Sequence, residues 1–113
     1  LSIKLENLVA CALLKEAHYQ TDVMGNPTSL HFLKIKGGRE LDFALIPEIK
    51  SEPVKLIEVK WADNDISPNF KLFSSPFKNC QKNQLVADPK REFQSEIGVL
   101  LTKASDWLQH MGT

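Results

Sequence analysis

The first pattern along the chain is helical. Between Ser2 and Ala17 the apolar residues Leu5, Leu8, Val9, Ala12 and Leu13 recur at three- and four-residue spacing, with Lys4 and Lys15 off that stripe, which predicts an amphipathic helix. The polar run His18 to Asp22 ends it, and residues 25–29, GNPTS, read as a loop. Two short apolar runs follow, LHFLKI at 30–35 and ELDFALI at 40–46, on either side of Lys36-Gly37-Gly38-Arg39. Such runs around a glycine pair predict a β-hairpin, because glycine supplies the positive φ of tight turns. A polar connection bracketed by Pro47 and Pro53 leads to a third strand, Lys55 to Trp61. Beyond it, Asp63-Asn64-Asp65 reads as a turn, residues 66–75 as a short helix carrying Ile66, Phe70, Leu72 and Phe73, and 76–82 as a loop. NQLVA at 83–87 is a candidate strand, 88–95 an exposed polar stretch, EIGVLL at 96–101 a strand, and 104–111 a closing helix. Helix, three strands, helix, one or two strands, helix is the order of an α/β domain built on a mixed sheet.

Composition narrows the class. The chain has 113 residues, 42% apolar and 25% charged, with zero net charge. That is one domain with a single core and the balance of a soluble globular protein. No apolar run approaches the roughly 18 residues of a membrane helix. Zero net charge removes any global basic field that would advertise nucleic-acid binding, although a local basic patch is compatible with it. Two isolated cysteines, Cys11 in the first helix and Cys80 in a loop, fit reduced thiols of a cytoplasmic protein rather than a disulfide framework. The start at Leu1, with no targeting segment, suggests a domain belonging to a longer chain.

Charges embedded in the strands change the picture. Strand side chains alternate faces, so in residues 55–61 Leu56, Glu58 and Lys60 point one way and Ile57, Val59 and Trp61 the other. In the preceding strand the same rule puts Glu40, Asp42, Ala44 and Ile46 on one face and Leu41, Phe43 and Leu45 on the other. If the two strands are neighbours, Asp42 and Glu58 lie across from each other. Paired carboxylates repel and resist desolvation unless a cation joins them. Mg²⁺, which takes one or two carboxylates plus water and phosphate oxygens, meets that need. Lys60 would then polarise the attacking water or stabilise charge on a phosphate, a set suited to metal-assisted phosphodiester hydrolysis. The competing reading is a solvated Glu-x-Lys ion pair of little consequence. Glu48-Ile49-Lys50 has the same spacing in a connector and serves as an internal control. Glu6, at the flank of the first helix's stripe, is either a further acid facing the sheet or a first-turn glutamate favoured by the helix dipole.

Glu6, Arg39-Glu40-Leu41-Asp42-Phe43 and Ile57-Glu58-Val59-Lys60 together resemble the PD-(D/E)XK superfamily of restriction-endonuclease-like and junction-resolvase-like nucleases. More narrowly, LENLVACALL, GGRELDFALI and LIEVKWAD look like the C-terminal domain of a prokaryotic AAA+ type ATPase family. The resemblance covers residues 1 to about 62 strongly and continues through IGVLLTKASDWL. It implies an αβββαβ core with a four-stranded mixed sheet between helices. It also implies Asp42 and Glu58 as ligands of Mg²⁺ or Mn²⁺, the Val59 carbonyl as a backbone ligand, Lys60 as the catalytic lysine and Glu6 as an additional acid. DNA is the implied substrate, with RNA second, and a P-loop ATPase region the implied partner. Phe32-Leu33-Lys34 and Trp61 depart from the family pattern around the site.

Other chemistry is poorly supported. His18, His31 and His110 are scattered and give no zinc spacing, 63–65 lacks the later residues of a calcium loop, and there is no P-loop. Trp61, Trp107 and the phenylalanines read as core. Lys71, Lys78, Lys82, Lys90 and Arg91 form a candidate basic rim or an ordinary solvated surface. Two functions of different class remain: a metal-dependent nuclease, or a nuclease-like module that binds nucleic acid or a partner, or regulates an attached ATPase, without cutting.

Overall fold

The computed structural model describes residues 2–35, 39–62, 65–74 and 79–111. Helix α1 (Ser2–Asp22) is followed by the antiparallel strands β1 (Thr28–Ile35), β2 (Arg39–Pro47) and β3 (Lys55–Lys60), then helix α2 (Asn69–Ser74). Strands β4 (Gln81–Val86), β5 (Phe93–Gln94) and β6 (Val99–Lys103) and helix α3 (Ala104–Met111) complete the chain. The six strands form one mixed sheet in the order β1-β2-β3-β4-β6-β5, with β3, β4 and β6 parallel to one another. The α/β class and mixed sheet agree with the patterning, whereas the expected count of four strands does not. The two-residue β5 pairs with β6 inside the stretch 88–95 and is too short to show periodicity in sequence.

Helix α1 runs five residues past Ala17. Polar residues do not stop a helix whose outer face is solvated; the chain's own termination chemistry does. Met24 N–H reaches back to Tyr19 O at 3.2 Å, and Gly25 takes φ 67°, a conformation that glycine enters without penalty. Leu5, Val9, Leu13 and Ala17 face the sheet, but Leu8 is 58% exposed and lies off the buried stripe.

The two sheet faces carry separate apolar cores. On one, Val9, Leu13 and Ala17 of α1 and Ala104 of α3 cover Phe43, Leu45, Ile57, Val59 and Leu85. On the other, Phe70 of α2 packs with Leu41, Ala44, Leu56 and Val99. Leu41 thus shares a face with Ala44, against simple alternation. The cause is a register shift: His31 pairs with Ala44 but Leu33 pairs with Leu41, so Asp42 and Phe43 together oppose Phe32. This is a β-bulge, and it turns the first half of β2 over. The hairpin expected around the glycine pair is present as β1–β2 pairing down to Ile35 and Arg39. Its turn, Gly37 and Gly38, lies outside the described residues, as do Asp63, Asn64 and Lys78, and nothing describes the Glu40 side chain.

Candidate functional site

Strand β3 lies between β2 and β4, so its alternate residues are covered on both sides of the sheet. Ile57 and Val59 enter the α1 core, while Leu56 and Glu58 point to the α2 face. Glu58 is 3% exposed. The exposed ion-pair reading therefore fails for this copy of Glu-x-Lys. The other copy differs: Glu48 and Lys50 are both exposed in the turn after β2, next to Ser51 at φ 55°.

The bulge places Asp42 beside Glu58. Pairing between β2 and β3 runs from Leu45–Lys55 to Phe43–Ile57. Past that point the Asp42 side chain takes over the backbone's role: Val59 N–H donates to Asp42 Oδ2 at 2.8 Å. Since N–H and C=O of one strand residue face the same neighbouring strand, the Val59 carbonyl faces the same gap. The Lys60 carbonyl faces β4, where it accepts from Ala87 N–H at 3.2 Å.

Burial pushes the Glu58 carboxyl up to about 8; a hydrogen bond with Asp42 and the Asp42 charge push the same way. The Lys60 ammonium and the Ser67 hydroxyl oppose the rise without cancelling it. Near neutral pH Glu58 therefore keeps its proton beside Asp42, with a half-buried lysine one strand repeat away.

A second layer supports Glu58 from β4. Ser67 Oγ donates to Glu58 Oε2 at 3.3 Å, and Ser67 is held by Gln84, the residue in register with Glu58. Gln84 is 0% exposed; its Oε1 accepts Ser67 N–H at 2.7 Å and its Nε2 donates to Asp65 O at 2.8 Å. Sequence reading missed both residues. The available signal was a glutamine inside the apolar run NQLVA, a buried amide that must find partners.

Glu6 is half-buried at the flank of α1, as its position on the helix implies, but α1 covers the face opposite the one Glu58 occupies. Among the described residues no group of three or more His, Cys, Asp and Glu side chains is gathered that could hold a metal ion. The basic rim is reduced, because Lys82 is buried in β4 while Lys71, Lys90 and Arg91 are exposed. Trp61, expected in the core, is 47% exposed immediately after Lys60. Among the described residues no helix is long and apolar enough to cross a membrane. Compared with known proteins, the chain matches no family model, no curated protein and no solved structure.

Proposed function

We propose that the chain is a PD-(D/E)XK-type nuclease domain that hydrolyses phosphodiester bonds of DNA, with Asp42 and Glu58 as the acidic pair and Lys60 as its cation. The observation that carries this reading is the pair itself: a half-buried acid in a bulge of one strand meets a 3%-exposed acid on the next. Burying a carboxylate beside a second one is costly, and a strand face that only needed filling would be served better by leucine.

The donor set fits Mg²⁺ or Mn²⁺. Two carboxylates and the Val59 carbonyl face one gap, and an oxygen-only set with few protein ligands suits a hard cation that keeps waters and phosphate oxygens. Such a cation, when bound, would lower the pKa of its water and neutralise charge on the phosphate. The protein's own residues would do the rest. Ser67 and the Val59 N–H fix the two carboxylates, and Lys60 supplies positive charge on the Glu58 side of β3. Glu6 keeps the place of an additional acid in this reading. In the same reading the domain works as the C-terminal part of a longer chain with a P-loop ATPase region.

One observation favours the second reading, a nuclease-like module that binds nucleic acid or a partner, or regulates an ATPase, without cutting. Asp42 Oδ2 and Glu58 Oε2 already have protein donors, Val59 N–H and Ser67 Oγ, so both acids have structural work without a metal. Calorimetric titration with Mn²⁺ separates the site from its absence. Wild type should bind, and Asp42→Asn, which keeps an acceptor for Val59 N–H, should bind at least about tenfold more weakly. Equal affinity in the two proteins sinks the site. Cleavage of linear, single-stranded and branched DNA by wild type but not by Lys60→Ala supports the nuclease; metal binding with no cleavage selects the non-cutting module.

A further inference from the structure

A concavity of about 480 Å³ opens on the α2 side of the sheet, between the segment leading into α2 and the β5–β6 turn. Its apolar lining includes Ile66, Phe93 and Ile97; Ser67, Lys71 and Glu96 supply polar groups. We propose that this concavity is a subsite for one unpaired nucleotide of the substrate strand, with the base against Phe93 and the isoleucines and the phosphate toward Lys71. The choice of a nucleotide rests on the nuclease reading; the existence of the concavity does not.

Three observations carry the proposal. The first is continuity: Ser67 lines the concavity and also donates to Glu58 Oε2, so a single side chain separates it from the acidic pair. The second is that both walls are built. On one, Gln84 clamps the Ser67 backbone from a fully buried position. On the other, residues 95–99 form a tight turn: Ser95 N–H donates to Val99 O at 2.8 Å, Val99 N–H to Ser95 Oγ at 3.0 Å, and Gly98 sits at φ 83°. A side chain at 98 would strain this turn, so the glycine is required by backbone conformation rather than by lack of space.

The third is chemical fit. The volume lies within the range of small-ligand sites, roughly 300–1,000 Å³. An aromatic ring and branched aliphatic side chains suit the faces of a planar base, and sequence-tolerant stacking of this kind is how single strands are held. Arg91 already lies 4.8 Å from the Phe93 ring centroid, which orients that ring and adds positive charge beside it. Lys71 is exposed, so its ammonium is available to a phosphate. A base paired in a duplex cannot enter a pocket; an unpaired or extruded one can. The predicted substrate class is therefore single-stranded DNA, or DNA with an unpaired nucleotide beside the cut.

The test uses ¹⁵N-labelled protein and deoxyadenosine 5′-monophosphate, first without metal. Amide shifts should concentrate at residues 65–71 and 93–99. Phe93→Ala should weaken binding by about tenfold. Lys71→Glu, at an exposed position, should weaken the nucleotide but leave deoxyadenosine unchanged. Shifts located elsewhere, no shifts at millimolar nucleotide, or unchanged affinity in a folded Phe93→Ala protein overturns the subsite. If Phe93→Ala fails to fold, an unchanged nucleotide affinity in Lys71→Glu overturns it instead. Titrating Mn²⁺ into the same samples keeps the two readings apart. Metal binding without nucleotide binding removes only this inference; nucleotide binding without metal binding removes the nuclease reading and leaves a nucleotide-binding subsite.

Discussion

Replacing Glu58 by glutamine should make the protein more stable in alkaline solution, an unusual result for a buried residue with specific partners. The carboxyl is raised from 4.5 to about 8, first by burial and then by Asp42. An unfolded chain releases this proton near 4.5, whereas the folded protein keeps it to about 8. Between those values the folded state binds more protons, so stability falls as pH rises. The contribution is fully present below 4.5, is lost progressively through the interval and is gone above about 8. At roughly 1.4 kcal/mol per tenfold change in proton affinity, the shift sets a ceiling of roughly 5 kcal/mol. The part of the window below pH 5.5 lies outside the assay, so what is measurable between pH 5.5 and 8.5 is at most roughly 3 kcal/mol.

Glutamine has nearly the same shape, stays neutral and still accepts from Ser67. Urea unfolding followed by circular dichroism at pH 5.5, 7 and 8.5 should therefore show wild type losing stability relative to Glu58→Gln, with the variant ahead at pH 8.5. On the proposed reading, saturating Mn²⁺ at pH 8.5 should restore wild type and leave the variant unchanged, because a bound cation would offset the charge of the ionised Glu58. Parallel pH profiles for the two proteins would show that Glu58 does not titrate in this window, and the argument from burial and Asp42 would fail.

Other positions test the frame around the pair. Gln84→Leu strands Ser67 N–H and Asp65 C=O, both now bonded to the amide, and should cost about 2–4 kcal/mol by urea unfolding. A loss under about 0.5 kcal/mol would mean those groups find water instead. Phe70→Ala empties the centre of the α2-side core and should cost about 3–5 kcal/mol, with a lower thermal midpoint. Exchanging the charges of Glu48 and Lys50 should change stability by less than about 0.5 kcal/mol, since both are exposed.

The sequence was informative where a local rule governs the outcome. Strands β1, β2 and β3 follow from period-two runs around a glycine pair and two prolines, and α3 from its closing apolar pattern. It was uninformative where a distant strand decides. Nothing local in RELDFALIP announces the bulge, because the extra residue exists only relative to β1, where Phe32 meets both Asp42 and Phe43. Alternation alone correctly paired Asp42 with Glu58 but misplaced Leu41, and Leu41 is the residue the bulge turns toward α2. The support from Ser67 and Gln84 was hidden for the same reason. Glu58 and Gln84 are 26 positions apart in sequence and become neighbours only through the parallel β3–β4 pairing.

The two Glu-x-Lys tripeptides show what separates a motif from a site. Glu48-Ile49-Lys50 and Glu58-Val59-Lys60 offer the same two charges at the same spacing, each next to a β-branched residue. In the first, the chain is in a turn, both charges are in water, and even Ile49 is exposed. In the second, β2 and β4 flank the strand and Ser67, just ahead of α2, sits against the carboxyl, which is dehydrated so that its proton affinity rises. Spacing supplies candidates, while strand position supplies the dielectric that gives a charge chemical use. Central position in a mixed sheet, together with a bulged neighbour that aims a second acid at the same gap, is what makes Glu58 rather than Glu48 the residue to mutate first.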